Sequence, residues 1–480
     1  MTFSKRYLLT MGSSYLRAAL NFAVSVQVAN YLTPGLYGNY QYLLTVSTAI
    51  MLFFNMGSEN AFFTFISKKQ QHINFYILYL LWQLTQILFV LVFLFVIHRD
   101  VYTFLYKDFN IGLVILAISA SFFVGNIQST INHIAESIRK TYLSQSVSIF
   151  VAFIHVVAIT GVVYFDCLTI SLLFKILFFE YFLYALIIFL LLKKYRFELF
   201  NNDIFVLSIA VNDFYVYCRP LFFLGLFNFL YVIIDRWLIQ TYVGTEGQAF
   251  FSISMQFSTL VILMTSGILN IFWKEISESI ELNNLKRSRI YFRVVSSHLF
   301  TFSCVVSAIL FFYSEQILSY FYTDAYIGAL VVFKLIMIYP VVQSMGQLYS
   351  VFLLAAEKTK LFKDVSIFIS GSSILVAILL LSDFGFNAGV EGIALKIVIM
   401  NFFLIVILEY YICNYLGIDT IFLVKLKSLI LSFFCAFIVH EFQSYMDFPF
   451  LVQVTLVGFL YVLPIGLYLF NSLQRQLIDA

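Results

Sequence analysis

Uncharged apolar runs of about 20 residues recur from one end of this chain to the other, the length an α-helix needs to cross the hydrocarbon of a bilayer. Of its 480 residues, 62% are apolar and 11% charged, whereas a soluble globular protein carries about 25% charge. A water-soluble enzyme is excluded, and with 5 Pro and 20 Gly the chain is neither disordered nor collagen-like. The 19% aromatic content, with 58 Phe and 32 Tyr, raises the alternative of a transmembrane barrel. Barrel strands need about 10 residues alternating polar and apolar, and the runs here are continuous and about twice as long. The chain reads as an all-α polytopic membrane protein.

Polar and charged punctuation predicts fourteen spans, near 10–32, 38–66, 73–97, 110–135, 142–164, 168–192, 220–243, 248–272, 291–313, 326–352, 362–382, 389–411, 421–440 and 449–470. An even number leaves both termini on one side. With that side cytoplasmic, inner segments hold 21 of the 28 Lys and Arg, and outer loops hold two, Arg99 and Lys107. A miscounted span would scramble this asymmetry, so the positive-inside rule supports the count and the orientation together. The net charge of +3 is too small to argue for nucleic acid. The five cysteines, Cys167, Cys218, Cys304, Cys413 and Cys435, are odd in number and widely spaced, so neither a disulfide framework nor a metal site is expected. A cleaved signal peptide is not expected, because Arg17 and Asn21 interrupt the first apolar stretch.

An internal repeat divides the chain. GSENAFFTFIS at 57–67 recurs as GILNIFWKEIS at 267–277 with five identities, and VSIF at 147–150 recurs at 365–368. Each match pairs a span with the one six later, which predicts two six-span halves of parallel topology related by a pseudo-two-fold axis along the membrane normal. The expected organisation is an N-terminal lobe at 1–197, a cytoplasmic and amphipathic linker at 198–219, a C-terminal lobe at 220–412, and spans 13 and 14 in 413–480.

Polar residues recur at helical spacing inside several spans. Span 2 carries Gln41, Thr45, Thr48, Asn55 and Glu59, and span 8 carries Ser252, Gln256, Thr259, Ser266 and Asn270 at the same steps. Span 1 adds Ser13, Arg17, Asn21 and Ser25, and span 7 adds Asn228, Asp235 and Tyr242. A single Ser or Thr is read as packing glue, worth about 0.6 kcal/mol between membrane helices. Charge is different, since a mid-span Lys, Arg or Asp costs at least about 2.5 kcal/mol and normally meets a wet cavity or a partner. Arg17, Lys175, Arg236, Lys334 and Lys396 are therefore candidates to line a hydrated cleft between the halves, with Asn21 and Asn228 beside them. Snorkelling to the outer face competes for all but Arg17. Glu59, Glu180 and Asp235 are candidates for ion coupling or charge balance, and Asp235 is read first as neutralising Arg236. Glu409 is read as interfacial. His155 can titrate, although one membrane histidine is more often a packing residue.

At VANYLTPGLYGNYQYLLTVSTAI (28–50) with the 57–67 block, and at DRWLIQTYVGTEGQAFFSIS (235–254), the chain resembles bacterial polysaccharide transporters. The resemblance is to the O-antigen flippase branch of the multidrug/oligosaccharidyl-lipid/polysaccharide (MOP) exporter superfamily, with Thr33-Pro34-Gly35 where Leu-Gly-Pro is commoner. It implies a 14-helix, two-lobed transporter around a central cavity in the bacterial inner membrane. Its cargo would be an undecaprenyl-diphosphate-linked oligosaccharide, moved from the cytoplasmic to the periplasmic leaflet by alternating access. The resemblance further implies coupling to Na+ or H+, and a polysaccharide polymerase and a chain-length regulator as candidate partners in O-antigen and lipopolysaccharide assembly. No GxxxxGK[ST] phosphate loop is present, and no organic cofactor is expected.

Two alternatives stay open from the residues. A drug or metabolite antiporter of the same fold would favour acidic cavity residues, whereas five span cations face four span acids. A membrane polymerase or ligase would need a catalytic surface outside, and the outer loops run only to about a dozen residues.

Overall fold

The computed structural model describes residues 3–55, 57–67, 73–193, 207–383, 385–444 and 452. Among these residues every regular element is helical. Nine helices are long and apolar enough to cross a membrane, and up to eleven if each of two bent pairs counts as one span. Helices also occupy expected spans 1 and 13, where Arg17, Asn21, Lys425 and Lys427 interrupt the apolar run. Expected span 14 lies outside the described residues. The chain divides into two compact units, Met1–Thr241 and Tyr242–Ala480.

In the first unit α1 (Phe3–Tyr31) packs along α8 (Thr141–Tyr164), and α8 along α9 (Ile170–Lys193). Helix α2 (Pro34–Asn55) starts where the chemistry favours a start: Pro34 needs no donor in the first turn, and the Thr33 hydroxyl accepts from Leu36 N–H at 3.5 Å. It ends at Asn55, and after a 55° bend α3 (Ser58–Ser67) continues the same span. Gly57 sits at that bend with φ +75°, a left-handed conformation that excludes most side chains. Helix α4 (Ile73–Val96) crosses next, and α5 (Arg99–Tyr106) is short and capped by His98. Helix α6 (Ile111–Phe122) passes through a π-helical turn at Phe123–Ile127 into α7 (Gln128–Ser137). The stacked rings of Phe62, Phe75 and Tyr79 join α3 to α4 in a core that also takes in Ile138, Val147, Tyr184 and Ile188.

Helix α10 (Leu207–Leu238) completes this unit. Residues 207–219, assigned from sequence to a linker, contain no Gly or Pro and run as helix directly into expected span 7. The same helix packs on α2 and α3, so span 7 belongs to the first unit, and the compact units divide at 241/242.

The second unit holds α11 (Thr245–Glu281), α12 (Leu285–Phe312) and α13 (Ser314–Phe321). A 3₁₀ turn at Asp324–Ala329 leads into α14 (Leu330–Ile336), which bends by 40° into α15 (Tyr339–Ala355). Helices α16 (Thr359–Leu381), α17 (Gly389–Leu416) and α18 (Phe422–Ser444) follow. The core around Phe292, Met345, Leu348, Phe352, Leu408 and Ile412 is fully buried. Buried serines join its helices, Ser279 to Ser288 at 2.6 Å and Ser303 to Ser344 at 2.9 Å, as small polar residues do between membrane helices. Gly417, with φ +62°, ends α17 in a left-handed cap, its N–H bonded to Asn414 O.

Candidate functional site

Within the first unit, the break between α2 and α3 builds a polar cluster. Asn55 caps α3: its Oδ1 accepts from Glu59 N–H at 3.1 Å and from Ser58 Oγ at 2.6 Å. Its amide in turn donates to Glu59 Oε2 at 3.0 Å. Glu59 thus stands in the first turn of α3, where the helix dipole favours a negative charge. From α7, His133 Nε2 lies 3.0 Å from Glu59 Oε1, Ser129 donates to the same oxygen, and Glu136 stands 3.9 Å from His133 Nδ1. The Phe63 ring packs against the imidazole, with centroids 4.5 Å apart. His133 and Glu59 are 20% and 23% exposed, so the pair is sheltered yet reachable.

A second histidine–carboxylate pair joins α8 to α9, with His155 Nδ1 2.7 Å from Glu180 Oε2 and both side chains nearly buried. Tyrosines connect it to the cations. Tyr40 and Tyr181 lie within the electrostatic reach of Glu180, and Tyr181 also within that of Arg17. Arg17 Nη2 donates to Ser14 Oγ at 3.4 Å, while its Nε is buried with no hydrogen-bond partner among the described residues. Tyr37 interacts electrostatically with Arg236 and is hydrogen-bonded to Ser25 at 2.8 Å and to Gln41 at 2.9 Å. Asp235 is the strongest charged neighbour of Arg236 and is itself buried. Arg17, His155, Glu180, Asp235 and Arg236 are thereby linked through tyrosines within one unit, a constellation that offers cationic and phenolic donors together.

The other sequence candidates lie apart. Lys175, Asn21 and Asn228 are exposed. Lys334, on α14, is half-buried, and Lys396, on α17, is fully buried in the second unit. A snorkelling lysine keeps its ammonium at the surface, and Lys396 has no surface at all. Glu409 requires a correction. It is not interfacial but 6% exposed, held by Lys425 Nζ at 2.7 Å, Tyr349 OH at 2.6 Å and Ile421 N–H at 3.1 Å. Lys425, counted from sequence among the cytoplasmic loop cations, is buried in the same triad. The reason is pairing across helices: α18 packs against the α12–α15–α17 core, and a lysine there is held by a carboxylate that sequence spacing cannot connect to it.

Sequence reading missed His133 and Ser129, which are silent in isolation. The signal that could have found them is their i, i+4 spacing on one helix, together with a Glu at a predicted helix start. Among the described residues no group of three or more His, Cys, Asp or Glu stands close enough to hold a metal ion.

No family model matches the chain, and no curated protein matches it in sequence. Its fold is nevertheless that of MOP superfamily transporters. A lipid II flippase, MurJ, in an inward closed conformation is similar with TM-score 0.70 and 15% identity, covering 98% of this chain and 99% of that one. An inward-facing multidrug resistance MATE transporter of the MOP superfamily gives TM-score 0.66 at 14% identity over 84% of this chain and 94% of that one. A MOP superfamily transporter from Pyrococcus furiosus gives 0.63 at 12% identity over 86% and 94%.

Proposed function

We propose that this protein is a flippase for a lipid-linked oligosaccharide, carrying an undecaprenyl-diphosphate-linked repeat unit from the cytoplasmic to the periplasmic leaflet of a bacterial inner membrane, for O-antigen or another surface polysaccharide. The observation that carries the reading is the extent of likeness. The multidrug resistance transporters match 84–86% of the chain and leave over a stretch about the size of residues 413–480, whereas the lipid II flippase matches 98% of it.

The residues of the first unit suit that cargo. A diphosphate calls for guanidinium groups, which Arg17 and Arg236 supply, and Arg17 keeps a buried donor unfilled. Sugars call for hydroxyl and aromatic partners, which Tyr37, Tyr40 and Tyr181 supply. Two histidine–carboxylate pairs, His133–Glu59 and His155–Glu180, favour a proton as the coupling ion, because each places two proton-exchanging groups against one another inside the helix bundle. Inward-open and outward-open states would differ in whether these pairs share a proton.

Deleting the gene tests the proposal. Accumulation of an undecaprenyl-diphosphate-linked repeat unit on the cytoplasmic leaflet, restored to export by the wild-type copy, is the expected result. A second reading, a drug antiporter, is favoured by the buried acids Asp235 and Glu180. It would be adopted instead if deletion changed drug susceptibility and left surface glycan and its lipid-linked precursors at normal levels.

A further inference from the structure

Between α3, α4 and α10 the first unit encloses a cavity of 290 Å³ lined by Ser58, Leu78, Tyr79, Trp82, Val211, Phe214, Tyr215 and Cys218. Four of its eight lining residues are aromatic, and its accessible wall is wholly apolar. The Ser58 hydroxyl is already spent on Asn55. Nothing there would hold water, and dry apolar cavities of only about 150 Å³ already take up a benzene ring. This one is nearly twice that size and approaches the roughly 300 Å³ at which ligand pockets begin.

The cavity opens toward lipid. Trp82, Val211 and Tyr215 at its rim are exposed, and α4 carries Ile77, Leu80, Leu81, Leu84 and Leu88 on an outer face that only hydrocarbon would solvate. Its depth follows from the helix geometry: Leu78 to Trp82 lie roughly 8 to 13 Å along α4 from Ile73, at 1.5 Å per residue. In the orientation set by the positive charges, Ile73 is at the cytoplasmic face, so the cavity sits in the inner leaflet.

We infer that this cavity is a binding site for the isoprenoid chain of a polyprenyl carrier lipid, taken from the inner leaflet. The inference rests on the flippase reading for its occupant and on the cavity for its place. Isoprene units are flat, methyl-branched and wider than a linear acyl chain, and the chamber offers them aromatic surface at Trp82, Phe214 and Tyr215, with Tyr79 held behind by Phe62 at 4.0 Å between centroids. A linear acyl chain gains little from so broad an aromatic chamber. Ser58 also adjoins Glu59, so a chain filling the cavity presses on the helix turn that carries the Glu59–His133 pair. Tail occupancy is in this way adjacent to the group proposed to carry the coupling proton.

The experiment uses full-length protein in phosphatidylglycerol–phosphatidylethanolamine nanodiscs with a diazirine-bearing polyprenyl phosphate, followed by peptide mapping. Adducts are expected within 73–96 and 207–218, at least fivefold suppressed by excess undecaprenyl phosphate or undecaprenol and unaffected by excess phosphatidylglycerol. The variant Cys218→Phe, which fills the cavity, is expected to lower labelling at least fivefold. Leu88→Phe, on the lipid face away from the cavity, controls for general effects of added bulk. Equal suppression by phosphatidylglycerol would assign the cavity to ordinary membrane lipid and overturn the inference. So would adducts confined to other helices, or labelling of Cys218→Phe at the wild-type level. Because the probe bears no sugar, absence of labelling at these helices alongside precursor trapping in the deletion strain removes the tail site and leaves the flippase reading standing. Labelling without trapping does the reverse.

Discussion

Lys425 Nζ lies 2.7 Å from Glu409 Oε2, with both side chains almost wholly removed from the surface, and this ion pair fastens α18 to α17. Tyr349 completes it from α15, donating to the same carboxylate oxygen at 2.6 Å and placing its ring 5.0 Å from the ammonium. Removing one partner strands the other as a buried charge, which typically costs about 3–5 kcal/mol, whereas replacing both by apolar residues of similar volume is near neutral. Lys425→Ala is therefore expected to lower the unfolding temperature in detergent by several degrees. Lys425→Met combined with Glu409→Gln, which removes both charges and keeps an acceptor for Tyr349 OH and Ile421 N–H, should recover most of the loss. A double variant as unstable as the single one would mean that the pair contributes more than mutual neutralisation.

Arg236→Ala and Arg17→Ala are expected to cut surface glycan at least tenfold while leaving the protein in the membrane at wild-type abundance. A tenfold loss corresponds to about 1.4 kcal/mol of binding, within reach of one charge-assisted contact to phosphate. Lysine at either position should restore only part, because it lacks the bidentate fork. Quantitative gel analysis of glycan against immunoblotted protein separates the two effects, and wild-type glycan in both alanine variants would remove these residues from the proposed cargo site.

Glu59→Gln keeps the shape of the Asn55–Glu59–Ser129 cluster but removes the charge that His133 faces. If this pair carries the coupling proton, export by the variant loses its dependence on the imposed pH step. His133→Gln should flatten the same profile. Flux measured in inverted vesicles under an imposed pH step checks both, and an unchanged pH profile with normal flux would return the pair to a capping role.

Gly57 is held at φ +75°, and a Cβ there would stand 2.7 Å from Leu221 Cδ1 and 2.9 Å from Leu221 Cβ. Gly57→Ala combines backbone strain, about 1–3 kcal/mol, with that clash. Pairing it with Leu221→Ala removes the Cδ1 contact and leaves the one at Cβ, so the double variant should regain only part of the lost thermal stability, the backbone cost and the Cβ contact persisting. Full recovery in the double variant would show that the left-handed turn is not what requires glycine.

Much of this molecule was legible as pattern. The all-helical nature of the described residues, and the places of the nine to eleven helices able to cross a membrane, follow from apolar runs whose backbone polar groups must be satisfied within each segment once in lipid. Arg17, Glu59, Glu180, Asp235 and Arg236 stood out because charge inside hydrocarbon is costly enough to need a reason.

Partnership was not legible. His133 and Glu59 are 74 residues apart, His155 and Glu180 belong to different helices, and Lys425 and Glu409 meet only because α17 and α18 turn back on each other. The sequence determines which segments lie in the membrane, since that depends on transfer of each residue from water to lipid and is local. Which charge neutralises which, and whether an exposed-looking lysine is in fact buried, depends on helix rotation and packing over distances that no periodicity encodes. Tertiary structure alone decided that Glu409 is a core anchor, that span 7 packs with the first unit, and that three helices leave between them an apolar cavity rich in aromatic side chains.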